Sequence, residues 1–262
     1  MFWRSSTLPP PTALFFETNN VCNSRCKTCM KWTEPQAALE MLSVDRCLEI
    51  IDEFAEMSPR GRVSLCAAET LLTPERVFPL TRRCRALGLR NHVATNGSLI
   101  DELMAESLVL EGAGCVGLSL NSQRADVHDE TRGRPGSFSE VTRAVRLLRA
   151  ARERHGRDTR IHVHAILCEQ NYRELEALHQ FVLYELGADK LDLAVLQPTF
   201  ALPAKVGQDR YFAENIVADE EALAETLVRC DRRFGLALNP LWIEQVKMYH
   251  RSIREHGDAL RG

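Results

Sequence analysis

Along most of this 262-residue chain, short apolar runs rich in β-branched residues alternate with longer segments of helical period. No other feature narrows the fold as much. The strand candidates are Ala13 to Thr18, Arg62 to Ala67, Asn91 to Thr95, Cys115 to Leu120, Ile161 to Cys168 and Leu191 to Gln197. Helix candidates lie between and after them at Ser43 to Met57, Pro74 to Leu87, Asp101 to Glu111, Ser137 to Arg152, Tyr172 to Leu186 and Asp219 to Arg233. Strands that alternate with helices predict βαβ units and an α/β fold with parallel strands. Ser43 and Asn171 are placed to cap the helices that follow them. In such a sheet the functional loops gather at the carboxyl ends of the strands.

With 45% hydrophobic residues, the chain can build one full-sized core. The expected organisation is an N-terminal extension over 1–12, a core over 13–200 and a helical C-terminal extension over 201–262. Thr199 to Asn215, with Pro203 and Gly207, reads as irregular. Lys and Arg total 33 against 36 Asp and Glu, a net charge of -3, so no nucleic-acid partner is expected. Pro9, Pro10 and Pro11 interrupt an opening segment that lacks the apolar run of a signal peptide, and no stretch approaches a membrane span. Nine cysteines without a secretory signal read as reduced thiols or metal ligands, which places the expectation in the cytoplasm.

Directly after the first strand candidate comes Thr18-Asn19-Asn20-Val21-Cys22-Asn23-Ser24-Arg25-Cys26-Lys27-Thr28-Cys29-Met30, a CxxxCxxC motif. Three thiolates this close can wrap one metal centre, and thiolates are the usual ligands of iron–sulfur clusters. The next cysteine, Cys47, falls inside a helical pattern, so a four-iron cluster here keeps one iron without a protein ligand. An open coordination position is where a substrate or cofactor binds. The same three cysteines are also compatible with a zinc site completed by a distant ligand.

In this motif, and in others that follow in order, the chain resembles the radical SAM superfamily, whose fourth iron is chelated by the amino and carboxylate groups of S-adenosylmethionine (SAM). The resemblance runs from about Leu14 to Pro198. It implies a partial (β/α)6 TIM-like barrel, with a [4Fe-4S] cluster held by Cys22, Cys26 and Cys29. It also implies reductive cleavage of SAM to methionine and a 5′-deoxyadenosyl radical that abstracts hydrogen from a substrate. Cys66-Ala67-Ala68-Glu69-Thr70 is similar to the Gly-Gly-Glu-Pro segment that holds the SAM amino group, a role suited to the anionic Glu69 beside Ala68. Ala67 and Ala68 replace two glycines, so a left-handed backbone there would be strained. Thr95-Asn96-Gly97 matches a Thr-Asn-Gly turn, and Ser119 and Arg132 correspond to residues that reach the ribose and carboxylate, with Arg134 a close competitor. Thr28 stands where many members carry an aromatic residue against adenine, leaving Trp32 as one alternative. Thr95 and Gln197, at the ends of the third and sixth strands, complete the expected SAM-facing set.

Alternation along Ile161 to Cys168 sets His162, His164 and Cys168 on the face opposite Ile161, Val163, Ala165 and Leu167, and Asp192 joins them from the sixth strand. These residues are candidates for substrate contact, with Cys168 a candidate hydrogen-atom donor, although histidines and a cysteine are equally common as packed lumen residues. Cys47, Cys84 and Cys230 read as structural. Members of the family with this run of motifs often continue into a cysteine-rich module for auxiliary clusters, and beyond Pro198 only Cys230 occurs. The leading expectation is a SAM-cleaving enzyme acting on a peptide or small metabolite, served by an electron donor such as flavodoxin or ferredoxin. The alternative is a non-catalytic iron–sulfur or zinc protein on the same scaffold.

Overall fold

In the computed structural model, residues 9–29, 32, 41–197 and 210–256 are described. Six parallel strands form one sheet in sequential order: β1 (Ala13–Glu17), β2 (Arg62–Cys66), β3 (Arg90–Thr95), β4 (Cys115–Ser119), β5 (Arg160–Leu167) and β6 (Lys190–Val195). Helices α1 (Val44–Met57), α2 (Pro74–Ala86), α3 (Glu102–Leu110) and α5 (Ser137–Arg154) connect successive strands, and α4 (Ala125–Arg132) follows β4 directly. The β5–β6 connection runs through a 3-10 turn (Tyr172–Glu174), α6 (Leu175–Gln180) and a π-helical turn (Phe181–Glu185). Three more helices follow: α7 (Arg210–Asn215), α8 (Glu220–Phe234) and α9 (Pro240–His256). Among the described residues no helix is long and apolar enough to cross a membrane.

Parity along the strands divides the molecule. Val63, Leu65, Val93, Val116, Leu118, Ile161 and Val163 point outward and are buried under the helices. There they join Ile51, Phe54, Val77, Leu108, Val145 and Leu148 in one core. Residues of the opposite parity face the concave side of the sheet, where β3 and β5 carry half-exposed positions between buried ones. Burying each large aliphatic side chain of the outward set contributes roughly 1.5–3 kcal/mol, which fixes the register, since a slip of one residue would turn that row into the lumen.

Several expectations about elements need correction. Asn171 does not cap the helix it precedes, whereas Ser43 does cap α1, its Oγ accepting from the Arg46 amide at 3.1 Å. Tyr172 to Leu186 is not one helix. Its hydrogen bonding changes to the wider π pattern at Phe181, where the Leu186 amide donates to the Phe181 carbonyl at 2.8 Å. A period-3.6 pattern does not register that change. Residues 210–215 are helical rather than irregular, while 199–209, like Met30 and Pro198, lie outside the described residues. No non-glycine residue except Ala237 has a positive φ among the described residues, so Ala67 and Ala68 sit without the strain that a left-handed turn would impose.

Candidate active site

The three-cysteine loop leaves the carboxyl end of β1 and is pinned from three sides. Asn19 donates through Nδ2 to the Glu69 carbonyl at 2.9 Å and to Thr73 Oγ1 at 3.0 Å. The Glu69 amide in turn donates to the Val21 carbonyl at 2.9 Å. Asn96 Nδ2 reaches Asn23 Oδ1 at 2.8 Å and Ser24 Oγ at 3.2 Å. From the far side, the Lys27 amide donates to the Thr131 carbonyl at 3.0 Å. Gly133 completes the contact: its backbone is left-handed with φ of 57°, and a Cβ there would collide with the Arg25 carbonyl. The loop is thus held by the ends of β2, β3 and α4.

Within it Cys26 is buried, while Cys22 and Cys29 are partly exposed. Burial pushes the thiols of Cys22 and Cys26 upward, and the Arg132 charge opposes that in both. Among the described residues no three His, Cys, Asp or Glu side chains converge as a single ion would require. A cluster bound through one thiolate per iron asks instead for ligands that stand apart around it. Three soft sulfur donors with a cation beside them therefore suit a [4Fe-4S] cluster. Trp32 donates its indole N–H to the Cys26 carbonyl at 3.0 Å. Thr28 is partly exposed on the loop.

Glu69 is 1% exposed and accepts three hydrogen bonds. Thr95 Oγ1 donates to Oε1 at 2.6 Å and the Leu71 amide at 3.1 Å, and the Asn96 amide donates to Oε2 at 2.7 Å. Burial raises its pKa, and these three donors and Arg132 pull the other way. Glu69 and Thr95 therefore brace the loop frame, which motif reading did not disclose. Arg134, the competitor of Arg132, is committed: it forks onto Glu140 at 2.9 and 3.0 Å and donates to the Asn23 carbonyl at 2.9 Å. Arg132 ends α4, half-buried, with its charge felt at Cys22, Cys26 and Glu69. Ala68 is half-buried between Cys66 and Glu69, and Ser119 is half-buried at the end of β4, in register with His164. Gln197 is exposed just past β6.

Below this loop the lumen opens into a cavity of about 940 Å³ whose wall includes Cys66, His92, Cys115, His162, His164 and Asp192. His162 Nδ1 lies 3.1 Å from Asp192 Oδ2, and His164 Nδ1 lies 3.9 Å from the same oxygen. Asp192 also pairs with Lys190. Burial raises the Asp192 carboxyl, but the bonds from His162 and Lys190 outweigh it and hold it below the usual carboxylate range. His164 meets His92 from β3 at 3.2 Å, Nε2 to Nε2. They touch across β4 because Gly117 leaves the room; a Cβ there would strike both rings. Burial, reinforced by the neighbouring His164, lowers His92 to about 4, and burial also lowers His164. The pair is therefore neutral at pH 7, one ring donating to the other.

His92 was not among the expected site residues, although the parity of Arg90, His92 and Ala94 along β3 is the signal that would have found it. Cys168 has the inward parity of His162 and His164 but does not line the cavity. It is 2% exposed and packs with Leu196 and Phe212, with burial raising its thiol. Helix α7 covers it, and no pattern within β5 could announce that. Cys47, Cys84 and Cys230 belong to the main core.

A model of the Radical SAM superfamily matches residues 16–182. An AdoMet-dependent heme synthase of Methanosarcina barkeri (strain Fusaro / DSM 804) is 28% identical over 189 residues, covering 72% of this chain and 52% of its own. Among solved structures, SuiB of Streptococcus suis bound to the precursor peptide SuiA superposes with a TM-score of 0.61 at 16% identity, over 79% of this chain and 45% of that one. A histidine-tagged anSMEcpe with bound AdoMet superposes with a TM-score of 0.65 at 19% identity, over 86% of this chain and 58% of that one. At such identities the two superpositions show a shared TIM-like α/β fold. The chain spans about half the length of these relatives.

Proposed function

Because the chain belongs to the radical SAM superfamily, whose members use a [4Fe-4S] cluster and SAM, we propose that it forms the SAM-cleaving core of an enzyme that abstracts hydrogen from a peptide or small metabolite. The observation that carries this reading is the bracing of the three-cysteine loop against Glu69, Thr95 and Asn96, with the Arg132 charge directed at the same thiols. When bound, the cluster supplies one electron that cleaves SAM to methionine and a 5′-deoxyadenosyl radical.

The chain's own residues hold and orient. Cys22, Cys26 and Cys29 hold the cluster. Glu69 has one acceptor position left on Oε2 beyond its three internal bonds, enough for an ammonium group. Arg132, having no carboxylate partner among the described residues, is suited to receive the SAM carboxylate through a bidentate fork. In this reading Ser119 takes a ribose hydroxyl, and Ala68, Thr28 and Gln197 complete the contacts to SAM. His162, His164 and Asp192 face the substrate from the lumen, where the neutral His164 imidazole orients a polar group without adding charge. Cys168 belongs to packing in this reading, so Cys168→Ala keeps turnover. An electron donor such as flavodoxin or ferredoxin docks on the exposed side of the cysteine loop.

The test is anaerobic reconstitution with iron and sulfide, followed by SAM and dithionite. The expected product is 5′-deoxyadenosine. Its absence from protein that carries a full four-iron cluster would overturn the proposal.

A further inference from the structure

The lumen cavity has a second end, at the amino termini of the strands, away from the cysteine loop. Four of the six strands begin there with an inward-facing cation: Arg62, Arg90, Arg160 and Lys190. Arg85 from the end of α2 and Arg157 from the loop before β5 extend the collar, and among the described residues the only acids on the cavity wall are Asp158 and Asp192. Six positive against two negative side chains gather here in a chain whose net charge is -3.

All six cations are exposed and lie close together around the opening. Arg62 and Arg90 are register partners on adjacent strands, and like charges placed side by side on a sheet repel. Lys190 and Asp192 satisfy each other. Among the described residues Arg90 reaches only the Arg60 carbonyl, at 3.3 Å. Among the described residues, Arg62, Arg85, Arg157 and Arg160 have no carboxylate partner. The guanidinium groups therefore face a cavity of about 940 Å³, large enough for a metabolite-sized ligand, with their donors unspent. Deeper in, neutral His92 and His164 offer hydrogen bonding, and the exposed Phe15 on the same wall offers apolar contact.

We infer that the amino-terminal end of the lumen is a binding site for a small molecule bearing two or more oxyanion groups, held by the arginine collar with its uncharged part toward the histidine pair. Guanidinium forks match carboxylates and phosphates alike. The chemistry shared by the two is the claim, and the probes separate them. This site is distinct from the SAM pocket and stands whether or not SAM is cleaved.

The experiment uses cluster-loaded protein at low ionic strength, where exposed charge is least screened, titrated calorimetrically with citrate and separately with inorganic pyrophosphate. Wild type is expected to bind at least one of them, and Arg62→Gln/Arg160→Gln to bind it at least about tenfold more weakly, the loss of one or two charge-assisted hydrogen bonds. Circular dichroism of the double variant checks that it folds, and Arg90→Gln provides a second, single-site comparison. Preference for citrate identifies a carboxylate ligand and preference for pyrophosphate a phosphorylated one, each supporting the site. Binding of neither probe, or equal binding by wild type and both variants, overturns it. Production of 5′-deoxyadenosine, measured in parallel, reports on the radical SAM reading separately.

Discussion

At the scale of single residues, the cysteine loop depends on neighbours that carry no metal chemistry. Glu69 is the sharpest case, because its carboxylate accepts from Thr95, Leu71 and Asn96 at once. In Glu69→Gln the amide –NH2 must face a donor on one side or the other, leaving buried groups unpaired at a cost of about 1–3 kcal/mol. Urea unfolding should show that loss together with weaker SAM binding; unchanged stability would mean the three bonds do not brace the loop. Gly133 and Gly136 make a matched pair. Both are left-handed, with φ of 57° and 85°, but a Cβ at Gly133 meets the Arg25 carbonyl while one at Gly136 meets open space. Each alanine variant carries the left-handed penalty of about 1–2 kcal/mol. Only Gly133→Ala should also lower iron and sulfide content after reconstitution, with far-UV circular dichroism intact. Equal cluster content in the two variants would remove Gly133 from the loop's support. The candidate ligands were legible because cysteines announce themselves by spacing. Their braces were not, since Thr95 and Asn96 look like any turn until β2 and β3 are set side by side.

At the scale of elements, β4, α4 and β5 are joined by two buried asparagines. Asn121 donates to Thr131 Oγ1 at 3.1 Å and accepts from the Ile166 amide at 3.1 Å. Asn171 donates to the carbonyls of Asn121 and Ile166, both at 2.8 Å, and accepts from the Cys168 amide at 2.9 Å. Asn171→Ala strands three backbone groups, two of them fully buried, and should cost about 2–3 kcal/mol, with faster hydrogen exchange at the Cys168 amide as the local signature. A loss near zero would show that water replaces the side chain. These links explain which elements sequence reading recovers. The six strands were legible because outward Val, Leu and Ile alternate with polar lumen residues, a period-2 signal driven by burial. Helix α4 was not, because Ala125 to Arg132 has almost no apolar face. It is held instead by His128, Thr131 and the loop it supports, contacts between segments distant in sequence. Asn171 misled for a related reason: a residue type that favours caps also serves wherever a buried loop needs donors and an acceptor.

At the scale of the whole molecule, the fold buries histidines that must stay neutral, and this ties folding to pH. His128 is 1% exposed, and its Nδ1 accepts the Asn121 amide at 3.1 Å, so protonation there would break a buried bond. Burial, with Arg132 adding to it, lowers His128 to about 3. His250 on α9 is also 1% exposed, its ring nitrogens meet no partner among the described residues, and burial lowers it to about 4. For both, the folded pKa lies below the unfolded value of about 6.5. The unfolded chain therefore takes up protons first as pH falls, and stability present above pH 6.5 is lost progressively toward the folded pKa values. Between the unfolded pKa and pH 5 each group contributes about 2 kcal/mol of loss, from 1.36 kcal/mol per pH unit. The pair together removes about 4 kcal/mol, a large share of a typical domain's stability. Urea unfolding at pH 7, 6 and 5 should give a falling midpoint with a slope approaching two protons from this pair, and more where His92 and His164 add to it. His128→Asn keeps an acceptor for the Asn121 amide but cannot titrate, so it should remove about one proton from that slope. A slope unchanged by the substitution would mean that His128 is protonated equally in the folded and unfolded chains, and that its hydrogen bond from Asn121 does not set its charge.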